Sequence, residues 1–226
     1  MKFFTDNSIQ WPYLLTKITK YLKMREETKK KYKEILIDPG VYDLIKSNKY
    51  SWEDKIDIKE FLLSLPPNHY FSWDYPSDMN LLYENEFIEK SWENAEKFVL
   101  YPQYIVTVQA KFNNYWDFKN RFDKYNELNI TSGILGLGNM CKHPRLNQFM
   151  KHALDYAFSH CYHRRIHIYG LCKDAIPYAY RKAIYYGIEF SIDQEKWQYY
   201  KPSSERPFWF SEYIKAIKLK GVKVEA

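Results

Sequence analysis

Three acids and one amide occupy comparable places in this chain, each closing a short apolar run. Asp38 ends Ile35-Leu36-Ile37-Asp38 ahead of Pro39-Gly40, and Asp74 ends Tyr70-Phe71-Ser72-Trp73-Asp74 ahead of Tyr75-Pro76. Asp193 ends Ile188-Glu189-Phe190-Ser191-Ile192-Asp193, and Gln109 ends Tyr104-Ile105-Val106-Thr107-Val108-Gln109. Gly136-Leu137-Gly138 and Gly170 close two further runs. Carboxyl groups gathered in one place can divide labour, one staying ionised while another holds a proton to give away. Each residue alone has a plainer explanation. An Asp at a strand end commonly caps the next helix or starts a turn: Asp38 before Pro39 fits a turn, Asp74 or Asp78 fits a cap, and Asp193 fits a cap over Gln194-Glu195-Lys196-Trp197. Gln109 fits a core amide satisfied by backbone equally well, and a lone Gly-x-Gly fits a tight turn. The weight comes from several such residues recurring at successive run ends.

The elements that would position them are short runs rich in β-branched and aromatic residues. Besides those above they are Phe3-Phe4, Tyr13-Leu14-Leu15 through Ile18, Gly133-Ile134-Leu135-Gly136 and Ile166-His167-Ile168-Tyr169-Gly170. Such runs suit strands buried on both faces, as in parallel sheets. Between them lie helical patterns: Ile58, Phe61, Leu62 and Leu65 share a face, as do Phe118, Phe122 and Tyr125, and Leu146, Phe149, Met150 and Leu154. Pro144 and Pro177 stand near helix starts, where a missing N–H costs little. Strand–helix alternation predicts a parallel α/β architecture. Eight candidate strands in 226 residues suit a compact (β/α)8 TIM-type barrel, a single domain over residues 1–226, whose chemistry would gather at the C-terminal strand ends. Residues 11–33 also fit one long helix.

Composition sets the outer bounds. A hydrophobic content of 46% with 19% aromatic residues excludes a disordered chain, and no apolar stretch approaches bilayer-spanning length. Polar residues follow Met1-Lys2-Phe3-Phe4 at once, unlike a signal peptide. Cys141, Cys161 and Cys172 are odd in number and widely spaced, with no CxxC pair, so a reducing, cytoplasmic setting is expected. His160, His163 and His167 cluster with Cys161, but no carboxylate stands at ligand spacing, which favours structural or solvated roles over a metal. The net charge of +6 is modest, yet Lys17, Lys20, Lys23, Arg25, Lys29, Lys30, Lys31 and Lys33 crowd one segment. Lys215, Lys218, Lys220 and Lys223 form another. Such clusters suit a polyanion and, somewhat better, a solvated face.

In this order and spacing the segments from about residue 35 to 197 resemble the tRNA-guanine transglycosylase superfamily, nearest to its short members that insert 7-deazaguanine bases into DNA. Ile37-Asp38-Pro39-Gly40-Val41-Tyr42 is similar to the family's Asp-Ser-Gly-Gly-Phe segment, whose Asp serves in acid–base chemistry. Trp73-Asp74-Tyr75-Pro76 and Val108-Gln109 resemble the segments that read the guanine edge. Gly133-Ile134-Leu135-Gly136-Leu137-Gly138 resembles the glycine-rich strand end that meets the base, and Ile166-His167-Ile168-Tyr169-Gly170-Leu171 the next strand. Gly187-Ile188-Glu189-Phe190-Ser191-Ile192-Asp193 resembles the strand bearing the nucleophile. Pro39 and Val41 depart from the family pattern beside the acid–base Asp. The family's Cys/His zinc motif, with the subdomain built on it, is missing from the sequence.

The resemblance implies base exchange in a nucleic acid, DNA or tRNA. A carboxylate traps the sugar carbon covalently while a second group protonates the departing base, as in retaining glycosidases. It implies Asp193 as nucleophile and Asp38 as general acid/base. Asp74 and Gln109 would read the base, with Gly136, Leu137, Gly138 and Gly170 as close backbone and Tyr42 or Tyr75 stacking on the flipped base. Lys142, Arg145, Arg164 and Arg165 are the candidate phosphate contacts, with a solvated loop around His143 and a polar link into a strand as the competing explanations. Neither a metal nor another cofactor is required. The expected partners are a nucleic acid and a 7-deazaguanine-type base; no membrane is expected, and a homodimer is left open. Two other classes compete: a diverged barrel that binds nucleic acid or base without turnover, motivated by Pro39-Gly40-Val41, and a hydrolytic N-glycosidase that leaves an abasic site.

Overall fold

The fold comes from a computed structural model, which describes residues 1–6, 9–41, 56–193 and 202–225. The apolar runs become eight strands, all paired in parallel: β1 (Lys2–Phe4), β2 (Tyr13–Lys17), β3 (Glu34–Asp38), β4 (His69–Phe71), β5 (Val106–Val108), β6 (Ile134–Leu137), β7 (Arg165–Tyr169) and β8 (Glu189–Asp193). They form a five-stranded sheet in the order β1-β8-β7-β6-β5 and a three-stranded sheet in the order β2-β3-β4. Single parallel bridges join the sheet edges. Thr5 meets Leu14 between β1 and β2, and Phe71 meets Tyr104 between β4 and β5. Two backbone hydrogen bonds flank each bridge: Tyr13 O accepts from Thr5 N (3.3 Å) and Thr5 O from Leu15 N (2.7 Å), while Gln103 O accepts from Phe71 N (2.8 Å) and Phe71 O from Ile105 N (2.9 Å).

Both faces of these strands are buried, which is why their sequences read as unbroken apolar runs. Ile35 and Ile37 belong to the main core with the helices, whereas Leu36 between them turns the other way. Leu36 joins a smaller cluster with Phe4, Tyr13, Leu15, Tyr70, Ile105 and Ile134. Period-two alternation therefore sorts one apolar run into two cores.

The helices cover the first of those faces. Among the described residues they are α1 (Ile18–Tyr21), α2 (Glu26–Lys29), α3 (Ile58–Ser64), α4 (Glu84–Phe98), α5 (Tyr115–Asn126), α6 (Gln148–His160), α7 (Ile176–Tyr186) and α8 (Arg206–Lys218). Asp57 caps α3 by accepting from Lys59 N and Glu60 N, Asn114 caps α5, and Asn147 caps α6. These caps satisfy backbone donors that have no partner within the helix. Pro177 sits in the first turn of α7, which Gly187 ends in a left-handed conformation (φ 68°). The buried stripe of α5 (Phe118, Phe122, Tyr125) follows the predicted periodicity, whereas α6 buries Met150, Ala153, Leu154, Ala157 and Phe158, with Phe149 only half-buried and Leu146 lying before the helix.

Residues 11–33 are not one helix. Pro12 precedes a strand whose Tyr13, Leu14, Leu15 and Thr16 are all buried, and that strand pairs with β3; only the single turns α1 and α2 follow. Burial on both faces overrode helical propensity here. Most of the lysines that follow, including Lys23, Lys30, Lys31 and Lys33, are exposed. Among the described residues no helix is long and apolar enough to cross a membrane.

Candidate active site

Strands β3, β4, β5 and β8, with the chain just beyond them, deliver Asp38, Asp74, Gln109 and Asp193 to one small cavity of about 130 Å³ as the described residues bound it. Gly138, Pro39, Ser72, Asp78, Asn139, Cys141 and Tyr169 also line it. Acids and an amide widely separated in the chain thus share one wall-to-wall environment.

Asp74 is half-buried in the cavity wall. Ser72 Oγ donates to its Oδ1 (3.1 Å) and Gln109 Nε2 to its Oδ2 (2.5 Å). Burial nonetheless pushes its carboxyl up to about 6, with the Asp38 charge adding to the rise and the two hydrogen bonds opposing it. The Gln109 amide is itself held, its Oε1 accepting from Ser77 N at 3.3 Å. Asn139 Nδ2 donates to Ser77 Oγ (2.7 Å), and Asn139 Oδ1 accepts from Ala110 N (3.0 Å). Gln109 is therefore a buried amide, held in part by backbone, that also lines the cavity. Neither Asp74 nor Asp78 caps a helix. The turn at Ser77–Met79 and helix α4 lack a side-chain cap, and Asn80 caps the turn between them.

Asp38 starts a turn and lines the cavity at once. Its Oδ1 accepts from Gly40 N at 2.6 Å, where Gly40 adopts φ 74°. Asp193 ends β8 opposite Tyr169 of β7. Its Oδ1 accepts from Gly170 N (3.1 Å) and lies 3.3 Å from His167 Nε2. The suggested cap by Asp193 falls on residues 194–197, outside the described residues.

The glycine-rich segment behaves differently from its expected role. Leu137 is fully buried within the sheet, and the space beside Gly136 is filled by Thr107 and Tyr169 side chains, within 2.9 Å of where a Cβ would stand. Only Gly138 of the three lines the cavity, and it makes room for the Gln109 amide. Gly170 contributes its N–H to Asp193 rather than an approach to a base. Tyr75 does not line the cavity: its ring stacks on Phe87 of α4 (6.1 Å, 20°). Tyr42 lies outside the described residues.

The four proposed phosphate contacts separate. Lys142 stands beside the cavity residue Cys141, with its ammonium on the Asp78 carbonyl, and Arg145 is exposed three residues on. Arg164 and Arg165 are at the opposite, N-terminal end of β7. Arg165 is only 1% exposed and pairs with Glu34 Oε2 at 2.7 Å above the Tyr70 ring, so it cannot meet a phosphate. A charged residue that begins a strand reads like a surface residue in sequence, but parallel packing folds this one inward.

Several residues at or behind the cavity were not assigned to it from sequence. Asp78 is buried beside Cys141, whose Sγ donates to its Oδ2 (3.5 Å), and burial raises its carboxyl against the opposing Lys142 charge. His167 is buried, which fits the structural rather than the solvated alternative for the histidines. The alternation Arg165-Ile166-His167-Ile168-Tyr169 carried the signal for His167 and Tyr169, because it puts the polar residues on one face. His163 meets the Asn126 carbonyl, and His160 stacks on Tyr156. Among the described residues, no three His, Cys, Asp or Glu side chains are grouped to hold a metal. Comparison with protein-family models, curated proteins and solved structures found no match.

Proposed function

We propose that the two sheets close into an eight-stranded (β/α) barrel through the Thr5–Leu14 and Phe71–Tyr104 bridges, and that the cavity at its strand ends exchanges a guanine in nucleic acid for a 7-deazaguanine-type base. One observation supports this above the others: Asp38, Asp74, Gln109 and Asp193, drawn from four strand ends, line the same cavity. At about 130 Å³ it is smaller than the roughly 300 Å³ at which drug-sized pockets begin. That size suits one flipped base better than a whole nucleotide.

In this reading the Asp193 carboxylate attacks the sugar C1′ as the C1′–N9 bond breaks, and Asp38 gives a proton to the departing guanine. Asp38 then takes the N9 proton of the incoming base, whose N9 displaces Asp193 from C1′ and restores its carboxylate. Asp74, once ionised, accepts from N1–H and the 2-amino group, while Gln109 fixes Asp74 and faces the O6/N7 side. Lys142 and Arg145 are the remaining candidates for phosphate contact. The test is release of labelled guanine from DNA and tRNA, together with trapping of a protein–nucleic acid adduct. Asp193→Asn and Asp193→Ala should abolish both, and full activity in both variants would sink the proposal.

The second reading, a binder without turnover, draws support from Pro39 in the cavity wall and from the tie of Asp38 Oδ1 to Gly40 N. It predicts affinity for base or nucleic acid with no guanine released from any substrate.

A further inference from the structure

His167 sits directly behind Asp193. β7 and β8 pair with His167 opposite Ser191 and Tyr169 opposite Asp193, so His167, Ser191 and Asp193 share a face. Ser191 Oγ lies 2.9 Å from His167 Nδ1, and Asp193 Oδ1 lies 3.3 Å from His167 Nε2. The rings of Phe4 (5.6 Å, 81°) and Tyr169 (4.6 Å, 73°) pack against the imidazole in edge-to-face geometry.

Burial favours the neutral ring, with Asp193 pulling the other way and Arg165 of β7 reinforcing burial; Glu34 of β3 opposes it weakly. A neutral imidazole has one N–H. A carboxylate can only accept, so the proton belongs on Nε2, and the Ser191 hydroxyl donates to Nδ1. Asp193 Oδ1 then receives two hydrogen bonds, from Nε2–H and from Gly170 N. Among the described residues Oδ2 has no donor.

We propose that His167 is a positioning residue for the Asp193 nucleophile, fixing Oδ1 so that Oδ2 faces the sugar carbon. The inference rests on the base-exchange reading of the cavity. No proton leaves the imidazole in the cycle. When Oδ2 bonds to C1′, Oδ1 becomes the ester carbonyl oxygen and keeps both donors. When the incoming base displaces the ester, the same donors receive the returning negative charge. Preorganised donors aimed at developing charge act without reorganisation.

The test compares His167→Leu, which removes the donor, with His167→Gln, whose amide can replace it. His167→Leu should lower kcat for base exchange about 10- to 100-fold, the usual loss of a hydrogen bond to a charged group. KM for the base, set at Asp74 and Gln109, should stay unchanged, and His167→Gln should recover most of the loss. Nitrogen-15 NMR of histidine-labelled wild-type protein adds a readout that needs no activity. It should show a neutral His167 protonated at Nε2 at pH 7, with that nitrogen shifting in Asp193→Asn. Wild-type kcat in folded His167→Leu, or an Nδ1-protonated or cationic ring, would overturn the positioning role and leave base exchange standing. A wild-type protein with the expected tautomer but no exchange and no adduct would overturn base exchange, and the role of His167 with it.

Discussion

Gln109 Nε2 donates to Asp74 Oδ2 at 2.5 Å, linking the chain beyond β5 to the chain beyond β4, and Gly138 is what lets the amide lie there. A Cβ at position 138 would collide with Gln109 Nε2. The backbone at Gly138 is not in the left-handed region, so alanine meets no strain of its own there. Gly138→Ala should therefore fold normally while pushing the amide off Asp74. A charge-assisted hydrogen bond is worth about 1.5–3 kcal/mol, so affinity for guanine or a 7-deazaguanine should fall roughly tenfold or more. Calorimetric titration checks this; unchanged affinity would show that the Gln109–Asp74 contact does not shape the base site.

On the base-exchange reading, the Asp74 carboxyl, pushed up to about 6 by burial, would make base binding depend on pH. Only the ionised form accepts from two donors at once. Affinity should rise as pH climbs through about 6 and level off above it. In Asp74→Asn that step should vanish, as isothermal titration at a series of pH values would reveal.

The same shift has a consequence for stability, with its sign set by linkage. The folded protein binds the Asp74 proton more tightly than the unfolded chain does, so its contribution favours folding at low pH. That contribution is lost as pH rises from the ordinary carboxylate value near 3.8 through about 6. Asp74→Asn should stabilise the protein by about 1–2 kcal/mol at pH 7 to 8, allowing for the partial exposure of the residue, and by little below about pH 4. Urea denaturation at both pH values measures the difference.

Asp38 divides its carboxylate between the turn at Gly40 and the cavity. If it acts as the acid/base, Asp38→Asn should keep the turn hydrogen bond and the base affinity. It should lower kcat about 10²- to 10⁴-fold. Guanine-release kinetics separate that result from a loss of folding or binding.

Arg165 is structural, on the strength of its burial and its bond to Glu34, which Lys2 also contacts. Removing one partner of a buried ion pair typically costs about 3–5 kcal/mol. Arg165→Ala should lose stability on that scale in chemical denaturation. Arg145→Ala should keep its stability and reduce the salt dependence of nucleic-acid binding by about one unit of slope. Equal losses of binding for the two variants would contradict the separation of the two strand ends.

What could be read along the chain was what depends on near neighbours. Runs such as Ile35-Leu36-Ile37 announce strands buried on both faces, and the Asp or Gln that closes each run marks where a side chain can leave the core. The three helices placed from their apolar faces were found, and so were Asp38, Asp74, Gln109 and Asp193 at strand ends.

Partnership is another matter, because it is set by register between strands far apart in sequence. Nothing near Asp193 announces that β8 pairs with β7 so as to set His167 behind its carboxylate. Nothing near Arg165 announces Glu34 from β3, so a residue resembling a surface cation is buried. Tyr75 stacks on α4, a helix that no residue around Tyr75 anticipates. Local hydrophobic periodicity determined the elements and the polar residues that end them. The register of the strands decided which of those residues touch, which face the cavity and which are enclosed, since hydrogen-bonded pairing between distant segments exists only once the chain has folded.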